Sequence, residues 1–135
     1  MSTIVTRAGK GSPLTNTELD ANFTNLNNDK IAFVVNSTTS GATITPASTD
    51  TQYNVTALAE AATIAAPSGT PVNGHTLILR IKDNGTARGL TWNTIWRSIG
   101  FTLPSTTILS KTLYLLAVYN SADSKWDVID YVKES

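Results

Sequence analysis

The chain has 135 residues, with ten Lys and Arg balancing ten Asp and Glu, no Cys and one His. A neutral chain without a basic stripe is not expected to bind nucleic acid or an anionic membrane. Without Cys, it has no thiolate nucleophile and no Cys-based zinc site. Thr, Ser and Asn supply 45 residues, one in three. We expect one soluble domain with a short appendage, no cofactor and no bound metal.

A helix is predicted over residues 16–29, because two signals at its N-terminus agree. Thr15 and Glu18 have the spacing of a capping box, in which each side chain accepts a hydrogen bond from the other residue's backbone N–H. Leu14 and Leu19 have the spacing of a hydrophobic staple, which fixes the direction in which the chain enters the helix.

The apolar residues of this helix form a narrow seam. Leu19, Phe23 and Leu26 are spaced four and three residues apart, and polar residues occupy most other positions. This spacing is typical of a coiled coil. An apolar seam only two helical turns long does not stabilise an isolated helix in water. Two interpretations stay open from periodicity alone: the seam docks on its own chain, or these three residues are oligomerisation contacts between copies.

The composition changes after the helix. Residues 31–36 have the pattern of a short strand. Nine of the fifteen residues in 37–51 are Ser or Thr, which is typical of a linker, interrupted by a candidate strand at residues 42–45. The sequence therefore predicts three regions: an N-terminal attachment segment with a short helix (1–35), a Ser/Thr-rich linker (36–51) and a β-sandwich domain (52–135).

The rest of the chain has the pattern of short strands separated mostly by Gly- or Pro-containing turns. Seven strands are predicted, over residues 53–57, 61–65, 76–82, 88–91, 94–99, 112–119 and 125–132. Two hairpins are expected, one turning at Asp83-Asn84-Gly85 and one at residues 120–124. Together these elements predict a mainly β fold, an antiparallel β-sandwich of jelly-roll type preceded by the short helix.

The predicted strand over residues 112–119 is apolar on both faces. One face carries Leu113, Leu115, Ala117 and Tyr119, and the other carries Tyr114, Leu116 and Val118. An antiparallel sheet with one face in water is expected to alternate apolar and polar residues. We therefore expect the second face to be covered by another layer or by a neighbouring subunit.

Three Trp residues are the best candidates for ligand contact. Aromatic faces stack on sugar rings, so Trp92 and Trp96, four residues apart around a turn, predict a glycan contact together with Arg97. The competing interpretation is that at least two of the three Trp fill the core. Arg97 would then pair with a carboxylate or stack on an indole.

No catalytic constellation is predicted. Asp127 and Asp130 have the chemistry of a glycosidase pair, but three residues apart on a strand they should face opposite ways. His75 follows a turn glycine and is expected to be a partly exposed residue at the end of a strand. We therefore predict that the protein is not an enzyme; a depolymerase is the enzymatic alternative.

The N-terminal third resembles a segment of bacteriophage proteins. Residues 10–15 (KGSPLT) and 18–29 (ELDANFTNLNND) are similar to a KGSPLT…ELDANFTNLNND segment that recurs in tail fibres and other virion proteins of tailed bacteriophages. Residues 52–134 also resemble modules at the ends of such proteins, including the stretches TQYNVTALAEAATIAAPSGTPVNGHTLILRIKDNGTARGLTW and KTLYLLAVYNSADSKWDVIDY.

The resemblance implies a virion structural protein, usually trimeric, with an N-terminal attachment region and a distal β domain. Implied partners are copies of the chain itself, other virion proteins through the N-terminal region, and a host cell-surface glycan. The implied location is the tail or the capsid surface. Tail fibres of this kind usually have a long shaft, for which this sequence has no counterpart. A short tail fibre, a head fibre and a capsid decoration (cement) protein therefore stay open.

Overall fold

The computed structural model describes residues 3–28 and 33–135. The chain divides into two units, an N-terminal unit of residues 1–32 and a β unit of residues 33–135. The predicted last residue of the helix, Asp29, and the predicted first residues of the strand at 31–36 lie outside the described residues.

The N-terminal unit contains a helical turn followed by the predicted helix. Helix α1 spans Arg7–Lys10; it begins after Thr6, whose hydroxyl accepts a hydrogen bond from the Gly9 N–H at 3.1 Å, and it ends at Gly11 in the left-handed region at φ 72°. Helix α2 spans Asn16–Asn28. The expected start at residue 16 is confirmed.

The β unit contains nine strands. They are β1 (Val35–Thr38), β2 (Thr43–Ile44), β3 (Gln52–Leu58), β4 (Ala62–Ile64), β5 (Thr76–Asp83), β6 (Leu90–Trp92), β7 (Trp96–Ser98), β8 (Thr112–Asn120) and β9 (Lys125–Lys133). A six-stranded sheet has the order β1-β3-β5-β8-β9-β7, and a three-stranded sheet has the order β2-β4-β6. The predicted mainly β class with a short N-terminal helix is confirmed.

The prediction of antiparallel pairing throughout is wrong. Strands β1 to β6 alternate between the two sheets, and each pairs in parallel with its equivalents in the same sheet. The chain therefore runs through three successive coils, each contributing one strand to each sheet. Each connection crosses between the sheets, so strands return in the same direction instead of reversing as hairpins. Strands β7 and β9 are also parallel, and antiparallel pairing is found for β5–β8 and β8–β9.

The expected hairpin at Asp83-Asn84-Gly85 does not form. The Asp83 side chain accepts a hydrogen bond from the Gly85 N–H at 3.0 Å, and Gly85 lies at φ 93°. This Asx-type turn directs the chain from β5 to β6 in the other sheet. The sequence thus predicts the turn itself correctly, but a local turn signal does not determine which strand becomes the partner.

The second predicted hairpin is confirmed. Strands β8 and β9 pair antiparallel, with Asn120 opposite Lys125 at the turn. The register shifts between Leu116, which faces Asp130, and Ala117, which faces Val128. One extra residue in β9 therefore forms a bulge, which changes the side to which the following β9 residues point.

The core of the β unit draws apolar side chains from both sheets. These are Ile44, Val55, Leu58, Ala62, Ile64, Leu77, Leu79, Ile81, Leu90, Trp96, Leu113, Leu115, Ala117, Trp126 and Val128. Residues 36–51, predicted as a linker with a candidate strand at 42–45, contribute β2 and most of β1, and Ile44 of β2 is buried in this core. The Ser and Thr side chains of this segment belong to short strands and turns of the first coil.

Candidate functional site

The capping box of α2 forms as predicted and is reinforced by an ion pair. The Thr15 N–H donates to Glu18 Oε2 at 2.7 Å, and the Glu18 N–H donates to Thr15 Oγ1 at 3.2 Å. Lys10 Nζ lies 2.5 Å from the same Glu18 oxygen. The Lys10 ammonium, together with the Thr15 backbone, lowers the pKa of Glu18 to about 2. These contacts fix the start of α2 against the turn that precedes it.

A second contact ties the N-terminal residues to the helix. The Asn22 side chain accepts a hydrogen bond from the Val5 N–H at 2.8 Å and donates to the Val5 carbonyl at 2.7 Å. The Asn25 side chain donates to the Thr3 carbonyl at 2.7 Å. Helix periodicity does not reveal this role of Asn22 and Asn25, but two poor helix formers spaced three residues apart within a helix are a usable signal for it.

The seam on α2 is exposed. The exposed fraction is 69% for Phe23, 59% for Leu26 and 40% for Leu19. No residue from 3 to 27 is fully buried. The predicted oligomerisation residues therefore lie on one exposed side of the helix, next to the Asn22 and Asn25 contacts.

The two Trp side chains predicted to contact a glycan do not form a joint surface site. Trp96 is 4% exposed, and its indole N–H donates to the Ala65 carbonyl at 3.0 Å. Trp92 is half-buried and donates to the Pro104 carbonyl at 2.8 Å. The two rings meet edge to face, with centroids 6.0 Å apart. Trp96 thus belongs to the core, since its ring has no open face for a sugar.

Arg97 is engaged by carboxylates. Its Nε donates to Asp127 Oδ1 at 2.7 Å, and its Nη2 donates to Asp127 Oδ2 and Asp123 Oδ2, both at 2.9 Å. This pairing raises the pKa of Arg97, chiefly through Asp127, and the same guanidinium lowers the pKa of Asp127. The paired-carboxylate interpretation of Arg97 therefore describes the structure, and the indole-stacking one does not.

The two carboxylates considered as a glycosidase pair lie on the same face of the sheet. Asp127 is opposite Val118, and Asp130 is opposite Leu116, because the β9 bulge inserts one extra residue between them. The expectation that they face opposite ways is wrong for this reason. Asp127 is held ionised by Arg97, which makes it a poor general acid.

Two buried carboxylates, Asp50 and Asp83, organise loops. Asp83 accepts hydrogen bonds from the Ser110 N–H at 2.9 Å, the Thr107 hydroxyl at 2.8 Å and the Gly85 N–H. Burial opposes its ionisation, but these donors lower its pKa overall.

Asp50 is fully buried and accepts from the Asn36 amide and the Ala47 N–H, both at 2.7 Å. The backbone carbonyl of Asp50 lies 2.8 Å from Nε2 of His75, which is half-buried as expected at the end of a strand. Both carboxylates are thus structural, and within residues 3–28 and 33–135 no group of three or more His, Asp or Glu is placed to hold a metal ion.

No helix in the described ranges is long and apolar enough to cross a membrane. Comparisons with protein-family models, with curated proteins and with solved structures found no significant match to the chain.

Proposed function

We propose that this protein is a structural protein of a tailed-bacteriophage virion. It would be a short homotrimeric appendage, anchored by its N-terminal region and displaying the β unit for attachment to a host surface. The observation that supports this best is the exposed seam of Leu19, Phe23 and Leu26, within the segment that resembles phage virion proteins. In coiled coils, helices of different copies pack together through a narrow apolar seam of this kind.

The β unit suits the displayed role in this proposal. Its two sheets share one core and would form the two layers of a small sandwich-like domain. Its surface is rich in hydroxyl and amide groups, which make weak contacts with glycans. Three copies on one appendage turn weak contacts into useful binding through effective concentration. Of the three residues predicted to contact a glycan, Trp92 remains a candidate, because Trp96 is buried and Arg97 is paired with Asp127.

The first experiment measures the mass of the full chain by light scattering at micromolar concentration. We expect three times the 14.4 kDa chain mass. The double variant Leu19→Ser, Phe23→Ser removes most of the seam and should give the monomer mass. A matched control, Val72→Ser with Leu109→Ser, removes two exposed apolar side chains from loops of the β unit and should keep the trimer. A wild-type chain that is monomeric would contradict the proposed assembly, and a seam variant that stays trimeric would show that the seam is not what holds the trimer together.

The second experiment locates the protein and separates two virion roles. Labelled antibody should bind phage particles in electron microscopy, at the tail for a tail fibre and at the capsid for a head fibre or decoration protein. Particles lacking the protein should adsorb less to host cells if it is an attachment protein. If it is a capsid decoration protein, they should lose resistance to heat with unchanged adsorption. Absence of antibody from particles rejects the virion role.

A further inference from the structure

The outer face of the six-stranded sheet carries an apolar patch with two charges. We call the six residues Ile78, Arg80, Tyr114, Leu116, Asp130 and Val132 the outer patch. They alternate along their strands with residues of the core such as Leu79 and Leu115, so they point away from it. Tyr114 is 39% and Val132 57% exposed, and a shallow groove of about 250 Å³ runs between β8 and β9.

The register places the outer patch in two adjacent rows across three strands. One row is Ile78, Leu116 and Asp130, and the next is Arg80, Tyr114 and Val132. Arg80 and Asp130 therefore occupy opposite corners, with apolar side chains on the other four positions. Strands about 4.8 Å apart and a residue rise of about 3.4 Å put the backbones of these two corners roughly 12 Å apart.

Neither charge is paired within the part of the chain that the structure describes. Arg80 lies over the Tyr114 ring, with its guanidinium carbon 6.0 Å from the ring centroid. No carboxylate in residues 3–28 and 33–135 lies within ion-pair distance of Arg80. Asp130 is exposed, and no Lys, Arg or His among the described residues lies within ion-pair distance of it. The β5 side of the outer patch thus presents a cation, and the β9 side an anion, that no described residue pairs.

This pattern differs from that of a sheet face meant for water. A solvated face alternates apolar core residues with polar outward ones, whereas here Ile, Leu, Tyr and Val are turned outward. Tyr and Arg are enriched at the centres of protein–protein interfaces. The cation on the β5 side and the anion on the β9 side make these two sides of the outer patch complementary to each other, which argues for a second copy of this chain as the occupant.

We propose that the outer patch is a contact between copies of this chain, with Arg80 of one copy facing Asp130 of the next. In a three-fold ring every contact is heterologous, so the β5 side of each copy can meet the β9 side of its neighbour. Strand β8 then lies nearest the axis, where Tyr114 and Leu116 of the three copies exclude water. This inference rests on the self-association in the proposed function, and it does not depend on location in a virion.

The test is charge reversal in the full chain, followed by light scattering over a dilution series. Arg80→Glu and Asp130→Arg should each raise the midpoint concentration for dissociation at least about tenfold, because each puts like charges in contact. The double variant Arg80→Glu, Asp130→Arg restores opposite charges and should return the midpoint to within about threefold of wild type. Circular dichroism and the thermal midpoint check that each variant is folded.

Disulfide crosslinking gives a second measurement, because the natural chain has no Cys. Leu116→Cys, near the proposed axis, should form crosslinked dimers under mild oxidation. Leu109→Cys, at an exposed loop position, is the matched control and should remain uncrosslinked.

The possible outcomes distinguish failure of the outer-patch contact from failure of the proposed trimer. A wild-type oligomer that is insensitive to all charge reversals and gives no Leu116→Cys crosslink overturns the outer-patch contact and leaves the seam trimer standing. Weakening by the single variants without rescue in the double variant also overturns the Arg80–Asp130 contact. A monomeric wild type overturns both. Absence of the protein from virions removes the virion role and leaves the outer-patch contact intact.

Discussion

The two units of the chain are stabilised in different ways. In the N-terminal unit, residues 3–27 include no fully buried side chain, and order comes from side-chain hydrogen bonds at Thr15, Glu18 and Asn22. In the β unit, both sheets bury apolar side chains in one core. A 13-residue helix is marginal in water by itself, whereas a shared core stabilises its strands without outside help.

The difference indicates where a partner is needed. The N-terminal unit leaves its largest apolar side chain, Phe23, mostly exposed, so its stability should depend on what covers the seam. The β unit should be stable by itself, and its outer patch should affect association more than folding. Three substitutions test this contrast, from the largest expected effect to the smallest.

The largest effect is expected from Ile64→Ala in the β unit. Ile64 is completely buried in the smaller sheet, and removing three carbons there should lower the free energy of unfolding by about 3–4 kcal/mol through lost burial and the remaining cavity. The measurement is urea unfolding at fixed protein concentration, since self-association shifts apparent stability.

The control for this substitution is Ile99→Ala, at a residue that is 46% exposed. It should cost less than about 1 kcal/mol, because little apolar surface returns to water. Equal losses in the two variants would show that the smaller sheet is not the packed core of the unit, and the contrast between the two units would disappear.

A smaller effect in the same unit is expected from Asp83→Asn. The carboxylate accepts three hydrogen bonds, and an amide in its place presents N–H groups to some of those donors. We expect a loss of about 2 kcal/mol, the magnitude of a hydrogen bond to a charged group. Asp20→Asn, on the exposed side of α2, should change little.

The pH dependence of stability gives an independent check on Asp83. Its pKa is lowered in the folded chain from the ordinary value of 3.8. The stabilisation is therefore present above about pH 3.8, and it is lost as pH falls through the lower folded value. Asp83→Asn should reduce the fall in the free energy of unfolding below about pH 3.8. If the variant loses stability at low pH as steeply as the wild type, other carboxylates cause the pH dependence.

How much could be predicted from the sequence follows the same division. The start of α2 was predictable because a capping box involves neighbours only three residues apart. The positions of the strands were predictable from their periodicity for the same reason. Strand partners were not, because the turn at Asp83 and Gly85 is compatible with a reversal or with a crossing to the other sheet. Its direction depends on Thr107 and Ser110, more than twenty residues away.

The candidate sites show the same limit. Trp92 and Trp96 look alike in sequence, but the carbonyls that accept from their indoles lie on different segments, and only Trp96 is enclosed by the core. The side chains of Asp127 and Asp130 share a face because of a bulge, which periodicity alone does not reveal. The seam on α2 was visible in the sequence because all three of its residues belong to one helix.

The smallest effect is expected at Glu18, and it concerns the N-terminal unit alone. Contact with Lys10 and with the Thr15 N–H lowers the pKa of Glu18 from 4.5 to about 2. A carboxylate with a lowered folded pKa stabilises the fold above its unfolded value, here about 4.5, and this stabilisation is lost as pH falls towards about 2. The amide signal of Thr15 in an NMR titration should therefore shift with a midpoint near pH 2.

Glu18→Gln should abolish that transition while leaving the unfolding of the β unit unchanged, and Asp20→Asn should leave the midpoint in place. A Thr15 midpoint near 4.5 would mean that the capping box does not hold the start of α2 in solution. The seam would then be presented by a frayed helix and ordered only when copies assemble.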